Sequence, residues 1–264
     1  MGIVNVTPDS FFDGGKFLEH QSAVDQGLKL VEQGANILDV GGESTRPYAI
    51  PVSEDEELRR ILPVIQSLCA QTQVAVSVDT SKARVAREAL AAGAEIINDI
   101  TGLEGDPAML PVAIETRCGI CAMHMQGSPQ VMQDNPSYTD VVTEIEGYLR
   151  DRRDALILAG IDSERICLDP GIGFGKSHQH NLTLLANCHR FHGLGQPLLV
   201  GHSRKGFIGN VLGDKNADRT AGSTGVALAM ASQGVQILRV HDIAPVRDAL
   251  LLYSAAGGLR QSSW

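Results

Sequence analysis

The chain has 264 residues, a formal net charge of −9 and a hydrophobic content of 43%. We expect a single domain over residues 1–264, because this is enough apolar sequence for one sizeable core. The negative charge and the low aromatic content of 4% argue against nucleic-acid binding. No apolar run has the length of a membrane span, so no membrane partner is expected. Five scattered cysteines and the lack of a signal-peptide pattern predict a cytoplasmic protein.

Eight short apolar runs lie along the chain, and each of them ends at a polar residue. Such runs are typical of buried strands in a parallel sheet. In chain order, the first polar residues after these runs include Asn5, Asp39, Asp79, Asn98, His124, Asp169, His202 and Arg239. The pattern predicts an α/β fold, a (β/α)8 TIM barrel, because this fold gathers all eight strand ends at one catalytic face. The alternative, a doubly wound open sheet, would usually have fewer strands and a site at a switch point.

Helical patterns separate the apolar runs. Ser53 and Glu56 have the spacing of a capping box and predict a helix start. Pro63 lies within the apolar periodicity that follows, so we expect it to kink or break that helix. The next helix is predicted to be capped by Thr80 or Ser81.

Two strand-end loops, over residues 7–15 and 41–48, are rich in glycine, hydroxyl and acidic residues. Long loops at the catalytic face of a barrel usually serve as lids or binding loops, and ordinary connectors are the alternative. Residues 169–177 resemble a phosphate loop, but proline occupies position 170 and the spacing is wrong for a Walker A motif. Its glycines predict a tight backbone turn next to Asp169.

Asp79 and Asp169 end the third and sixth runs, and Asn98 ends the fourth. Two carboxylates deep in a barrel mouth fit either a metal pair or acceptors for a ligand with adjacent N–H donors, such as an amino-pyrimidinone edge. A third interpretation is that each carboxylate only caps the helix after it.

Several cations lie at or just past strand ends although the chain is acidic. Arg239 and His241 are two residues apart, so on a strand they would share a face, and Lys205 follows the neighbouring strand. This grouping predicts a phosphate or pyrophosphate site, which TIM barrels often place near strands seven and eight. A salt-bridged structural pair is the alternative.

Taken together, these segments resemble the dihydropteroate synthase family. The matching motifs are Met1–Ser10, Asp39–Pro47, Ser77–Ser81, Ile97–Asp99, Met123–Gly127, Asp169–Lys176, Ser203–Lys205 and Arg239–His241. Each motif is modest alone, whereas eight in the same order over nearly the whole chain are highly specific. The resemblance implies a transferase that joins (7,8-dihydropterin-6-yl)methyl diphosphate to 4-aminobenzoate in folate biosynthesis. It also implies Mg2+, a homodimer and inhibition by sulfonamides.

The resemblance further implies residue roles. The residues implied to hold the pterin are Asp79, Asn98, Asp169 and Lys205. The residues implied around the diphosphate are Asn5, Thr45, Arg46, Arg239 and His241, with Asn5 also near Mg2+. The residues implied to border the aminobenzoate are Phe11, Thr45, Pro47, Lys205 and Gly206. The groups expected to be catalytic are Lys205, Asp79, Arg239 and His241.

Phe12 is a mild departure from the family pattern, which often has serine there, and two further positions depart from it more strongly. Tyr48 replaces a common glycine, and Gly206 replaces a common serine, both on the aminobenzoate side. Two rival interpretations therefore remain: a related pterin-binding methyltransferase barrel, which needs no diphosphate pocket, and an inactive pterin-binding paralogue. No role is predicted for His124.

Overall fold

The computed structural model describes residues 1–7 and 16–259, and strands and helices alternate along them. The strands are β1 Gly2–Asn5, β2 Ile37–Gly41, β3 Ala75–Asp79, β4 Ile96–Asp99, β5 Gly119–Met123, β6 Ile166–Asp169, β7 Leu199–Val200 and β8 Ile237–Leu238. The α-helices are α1 Lys16–Glu32, α2 Glu54–Gln71, α3 Ala83–Ala91, α4 Met109–Thr116, α5 Val141–Leu158, α6 His178–Ala186, α7 Gly206–Leu212, α8 Thr220–Ser232 and α9 Ile243–Ala255.

The strands of the described chain form a ring of parallel neighbours. Strands β1 to β6 pair in sequence order, and β7 pairs with β8. A parallel bridge from Leu168 to Leu198 joins β6 to the segment before β7. A second bridge, from Gly2 to Val240, joins β1 to the segment after β8. The (β/α)8 fold is thus confirmed, and its strand carboxyl ends meet at one face.

Apolar packing holds the strands against the surrounding helices. The side chains of Leu38, Val76, Ile97 and Leu168 are fully buried in the strands, and Ile61 of α2 packs into the same core. Burial on both faces explains why the strands appear in the sequence as continuous apolar runs rather than alternating ones. Among the described residues, no helix combines the length and apolar character needed to cross a membrane.

The predicted helix start at Ser53 is confirmed. Of the two alternatives at Pro63, the break is wrong and the kink stays a prediction. The Ser53 side chain accepts a hydrogen bond from the Glu56 N–H at 3.3 Å, and helix α2 then continues through Pro63 to Gln71. The Glu56 carboxylate accepts hydrogen bonds from two arginines of the next turn. Burial of the apolar face of α2 offsets the hydrogen bond that proline cannot donate.

The predicted cap of helix α3 is also wrong. Lys82 occupies the N-cap position, and its side chain makes no capping hydrogen bond. The Thr80 hydroxyl instead accepts from the Lys82 N–H, and the Asp106 carboxylate accepts from the Ala83 N–H at 2.8 Å. A carboxylate from a distant loop therefore satisfies the first turn of this helix, which local spacing does not reveal.

Candidate functional site

Arg239 lies at the centre of the barrel mouth and is held by two carboxylates. Its Nε donates to Asp39 Oδ2 at 2.6 Å, and its Nη2 donates to Asp79 Oδ2 at 2.6 Å. Asn98 Nδ2 donates to the same Asp39 oxygen at 3.0 Å. The middle of β2, the ends of β3 and β4, and the residue after β8 therefore meet in one polar cluster. The sequence assigned Asp79 and Arg239 to opposite ends of a ligand, whereas here they form a direct ion pair.

The charges of this cluster shift its pKa values. Burial raises the pKa of Asp79 to about 7, and the neighbouring Arg239 opposes that rise. Burial also acts against the charged form of Arg239, but the charges of Asp39 and Asp79 outweigh it and raise the pKa of the guanidinium. Arg239 is consequently always a cation, whereas Asp79 is poised to change its protonation state near neutral pH.

Asp169 and Lys205 form the second part of the mouth. Asp169 Oδ1 accepts from the Gly171 N–H at 2.7 Å, and burial raises the pKa of this carboxyl. Lys205 Nζ donates to the Ile172 carbonyl and lies 4.5 Å from the centroid of the Phe174 ring. Burial lowers the pKa of Lys205 to about 8, and Asp169 opposes this shift. The interpretation of Asp169 as a helix cap is wrong, because Ser177 caps α6.

The glycine-rich loop after β6 turns tightly around these groups, as predicted. Gly171, Gly173 and Gly175 have φ values of 68°, 86° and 61°, which glycine adopts without steric cost. A Cβ on Gly171 would lie 1.9 Å from the carbonyl oxygen of His124, and one on Gly175 would lie 2.3 Å from that of Gln126. The loop therefore packs closely against the end of β5.

His241 is half-buried beside Ser203 rather than in contact with Arg239. Its Nδ1 lies 3.1 Å from Ser203 Oγ, which also accepts from the His241 backbone N–H at 3.2 Å. Burial lowers the pKa of His241 to about 4, and the charges of Arg204, Arg239 and Arg46 add to this effect. His241 is therefore neutral at pH 7 and offers a ring N–H or lone pair instead of a positive charge.

Asn5 ends β1 and is half-buried, and its side chain makes no hydrogen bond to a described residue. Its amide oxygen is the kind of ligand that Mg2+ prefers. Within residues 1–7 and 16–259, no three His, Cys, Asp or Glu side chains are grouped so that they could hold a metal. Asn5 would supply one oxygen to a Mg2+ ion, and most of the ion's other ligands would be water and the phosphate oxygens of a substrate.

Known proteins share both the sequence and this fold. Residues 1–241 match the family described as pterin binding enzyme. The dihydropteroate synthase of Escherichia coli K12 is 46% identical over 255 residues, which are 97% of this chain and 90% of the relative. A Xanthomonas albilineans dihydropteroate synthase solved with 4-aminobenzoic acid is 48% identical, with a TM-score of 0.91 over 97% of this chain and 92% of that one. The Yersinia pestis enzyme solved with a sulfonamide drug is 44% identical, with a TM-score of 0.91 over 98% and 94% of the two chains.

The chain belongs to the dihydropteroate synthase family.

The second strand-end loop carries the family's Thr45, Arg46 and Pro47. Thr45 is half-buried, and the other two are exposed at the rim of the barrel. Phe11, from the first loop, lies outside the described residues. Gly206 is exposed at the start of α7, and a Cβ there would meet nothing within 4 Å. The roles that the resemblance implies for these residues remain predictions.

Tyr48 connects this second loop to the loop after β5. Its φ of 64° is in the left-handed region, which explains why the family commonly has glycine there. Its hydroxyl donates to Asp134 Oδ1 at 2.9 Å, and its N–H donates to the Pro129 carbonyl at 3.1 Å. In this dihydropteroate synthase family member, the two contacts offset the conformational cost of a non-glycine residue.

The base of the same loop is held by a buried ion pair. Lys82 Nζ donates to Glu43 Oε2 at 2.7 Å and to Glu57 Oε2 at 2.6 Å, and Glu57 is fully buried. Glu43 Oε1 also accepts from the Val52 N–H at 3.1 Å, which joins the two ends of the loop. The loop is therefore anchored at its base and at Tyr48.

Sequence reasoning assigned no role to Asp39 or Lys176, although both are buried near the mouth. Asp39 is fully buried between Arg239 and Asn98, and Lys176 is 2% exposed beside His124. A charged residue inside an apolar strand was the available signal for Asp39, because burial of a carboxylate requires a partner. For Lys176, the signal was a lone lysine after three closely spaced glycines.

Proposed function

We propose that this protein is a dihydropteroate synthase, which condenses (7,8-dihydropterin-6-yl)methyl diphosphate with 4-aminobenzoate to give 7,8-dihydropteroate and pyrophosphate. The observation that carries the proposal is the Asp39–Arg239–Asp79 cluster. It sets acceptors for a donor-rich heterocycle directly beside a permanent cation for an anion. A pterin methyl diphosphate has both of these chemical ends in one molecule.

Buried acceptors would bind the pterin end. From the described residues, the Asp169 carboxylate accepts one hydrogen bond, from the Gly171 N–H, so it retains lone pairs for the pyrimidinone N–H and amino donors. Asp79 has one oxygen bound to Arg239 and a second available for the ring. Asn98 can both donate and accept, and Lys205 lies against the Phe174 ring at the side of the same pocket.

Arg239 would bind the diphosphate end, together with the rim residues Thr45 and Arg46. The neutral ring of His241 would donate a hydrogen bond to the same anion. Asn5 would hold Mg2+ against the phosphate oxygens, and the ion would supply additional positive charge that stabilises the leaving diphosphate.

The reaction we propose is a dissociative substitution. The bond between the exocyclic methylene carbon and the diphosphate oxygen breaks first, and the bonding electrons leave with the diphosphate. The pterin ring stabilises the cation that remains, while Arg239 and His241 stabilise the departing anion by preorganised hydrogen bonds. The amine of 4-aminobenzoate then forms the new C–N bond and loses one proton to solvent. The loop anchored by Lys82 and Tyr48 would exclude water, which otherwise traps the cation.

Release of pyrophosphate tests this function. We expect release from the pterin diphosphate to require Mg2+ and to give dihydropteroate when 4-aminobenzoate is present. Exchange of labelled pyrophosphate into the substrate without the amine is the expected sign of a dissociative step, and strict dependence on the amine would argue against it. A methyltransferase barrel would release no pyrophosphate, and an inactive paralogue would bind the pterin without turnover.

Three further properties belong to the same proposal. We expect sulfonamides to compete with 4-aminobenzoate, as the solved relative with a sulfonamide drug supports. We expect a cytoplasmic location, because all five cysteines are free thiols. We also expect a homodimer, with Leu251 and Leu252 as exposed apolar side chains on α9 that a second copy could cover. Sedimentation equilibrium measures the oligomeric state.

A further inference from the structure

Among the described residues, Lys176 is the largest fully buried side chain, and the proposed reaction does not use it. Its Nζ lies 3.0 Å from His124 Nδ1, 2.8 Å from the Phe174 carbonyl oxygen and 3.4 Å from the His124 carbonyl oxygen. The Lys176 nitrogen therefore has acceptors on three sides. Burial lowers the pKa of Lys176, and the charge of Asp169 opposes this shift. The contacts join the end of β5 to the loop after β6.

His124 is arranged to act as the acceptor. Its ring makes an edge contact with Tyr148, with centroids 4.9 Å apart, and a tilted contact with Tyr138 at 6.1 Å. Burial lowers the pKa of His124 to about 3, and the charge of Lys176 adds to this shift. A neutral imidazole keeps one nitrogen lone pair, and Nδ1 presents it to Lys176.

The loop that Lys176 holds contacts Lys205 at two points. Lys205 Nζ donates to the Ile172 carbonyl and lies over the Phe174 ring. The Phe174 carbonyl is in turn bound by Lys176, whose own position in sequence is two residues later. A shift of this loop would therefore move both groups that orient Lys205.

Stability alone does not explain a buried lysine at this position. Burying an ammonium group is costly. Replacing a buried ion pair by apolar side chains of similar volume often leaves the stability of a protein unchanged or increases it. Lys176 is also close enough to Asp169 for its charge to oppose the rise that burial causes in the pKa of that carboxyl. Lys176 is thus connected to Lys205 through Phe174, and it interacts electrostatically with Asp169.

We propose that Lys176, seated on His124, is a positioning residue for the pterin end of the site. It fixes the Ile172 carbonyl and the Phe174 ring against Lys205. This inference rests on the proposed function and names the group that preorganises its pterin pocket.

The test compares Lys176→Met, His124→Phe and the double variant by steady-state kinetics with the pterin diphosphate and 4-aminobenzoate. Lys176→Met should raise KM for the pterin diphosphate by about tenfold or more and change kcat by less than about threefold, because the lost interaction is one of binding. His124→Phe, which leaves the bond from Lys176 to Phe174, should raise this KM by a smaller factor. Thermal unfolding is measured on the same samples.

Arg165→Met is the matched control. Arg165 also donates to backbone carbonyls, those of Cys118 and Ala113, but it does so at the opposite end of β5 and β6. It should lower the unfolding temperature without changing KM for the pterin diphosphate. The double variant Lys176→Met with His124→Phe removes both polar partners, so it should regain stability relative to Lys176→Met and still show the raised KM.

The outcomes separate the two proposals. A wild-type protein that releases no pyrophosphate overturns the proposed function. An active wild type with an unchanged pterin KM in Lys176→Met, or with an equal rise in Arg165→Met, overturns the positioning role. Recovery of both stability and KM in the double variant also overturns it, since that result describes a purely structural pair. If Lys176→Met does not fold, the double variant and His124→Phe are compared with Arg165→Met instead, and an unchanged KM for the pterin diphosphate in both overturns the positioning role.

Discussion

Asp39→Asn isolates the charge of the carboxylate that holds Arg239. Asp39 Oδ2 accepts from both Arg239 Nε and Asn98 Nδ2, while Oδ1 has no hydrogen-bond partner among the described residues. An asparagine can therefore keep both hydrogen bonds through its oxygen and place its NH2 group at the Oδ1 position. The substitution removes one negative charge next to Asp79 and retains the local geometry.

The expected change in the pKa of Asp79 follows from the guanidinium that it shares with Asp39. Asp39 and Asp79 each accept from Arg239 at 2.6 Å, so their oxygens lie roughly 4 to 5 Å apart, where two unit charges interact by about 3 to 4 kcal/mol in an effective dielectric of about 20. One pKa unit corresponds to about 1.4 kcal/mol. Even after partial compensation by Arg239, the pKa of Asp79 should fall by at least about one unit from its value of about 7.

Stability as a function of pH reports this fall in the pKa of Asp79. A carboxyl whose pKa is raised on folding contributes stability at low pH, and this contribution is lost as the pH rises to the folded pKa. At pH 5, where Asp79 is mostly protonated, we expect Asp39→Asn to be less stable by about 3 kcal/mol, because the buried guanidinium of Arg239 then has no charged hydrogen-bond partner in this cluster. Between pH 5 and 8, the unfolding free energy of the variant should rise relative to that of the wild type. The rise should be about 1.4 kcal/mol for each unit by which the pKa of Asp79 is lower in the variant.

Urea denaturation at pH 5 and pH 8 measures the difference. The control is the same substitution made in an Asp79→Asn background, where only the buried amine of Met1, whose pKa of about 6 is supported by the charge of Asp39, still responds in this range. The pH dependence of the effect of Asp39→Asn should therefore be smaller in that background. A difference between wild type and Asp39→Asn that does not change with pH would refute the reasoning, as would a trend of equal size in the control background.

Three other predictions concern the loops and the core. Tyr48→Gly combined with Gly206→Ser should change the sulfonamide inhibition constant, because both positions border the aminobenzoate side and a serine Cβ at Gly206 meets no neighbour within 4 Å; identical constants in the two proteins would contradict this. Gly171→Ala should cost more than about 2 kcal/mol in urea denaturation, since a left-handed backbone and a carbonyl 1.9 Å from the new Cβ both oppose it. The control Gly213→Ala, also left-handed but unobstructed, should cost about 1 kcal/mol. Burial lowers the pKa of His202 to about 4, so its neutral form stabilises the fold above pH 6.5 and this contribution, about 3 kcal/mol, is lost as the pH falls toward 4. His202→Gln should flatten the pH dependence of the unfolding temperature over that range, and an unchanged slope would exclude the assignment.

The barrel was predictable because each apolar strand segment is followed by a polar residue at the barrel mouth. Runs such as 74–78 and 166–168 are apolar because both faces of a barrel strand are covered, and the next residue is polar because it reaches the mouth. The run that ends at His202 is the exception: this side chain is fully buried and donates to the Ser223 carbonyl at 3.0 Å. Polarity at a strand end therefore predicts position better than it predicts function.

Contacts between distant loops could not be predicted from the sequence. Tyr48 binds Asp134 across 86 residues, and Lys176 binds His124 across 52. Neither pair has a periodic pattern, because its geometry depends on how two loops pack on adjacent strands. The hydrogen bond from the Ala83 N–H to Asp106, which caps α3, could not be predicted for the same reason. Local rules describe the helix start at Ser53 well, since all its partners lie within one turn.

Arg239 links the two ends of the site, because one guanidinium is shared between carboxylates and an incoming anion. A heterocycle whose N–H groups bind the second oxygen of Asp79 shares the negative charge of that carboxylate, which weakens its ion pair with Arg239 and leaves the arginine's charge more available to a diphosphate. The pterin end and the diphosphate end are then coupled, and the coupling is reciprocal. A pterin alcohol that lacks the diphosphate and free pyrophosphate should each raise the affinity of the other by about fivefold or more, a typical size for such coupling. Isothermal titration calorimetry measures both affinities. Asp79→Asn should abolish the coupling while Arg239 still binds pyrophosphate, and independent binding of the two fragments in the wild type would show that the shared arginine does not connect them.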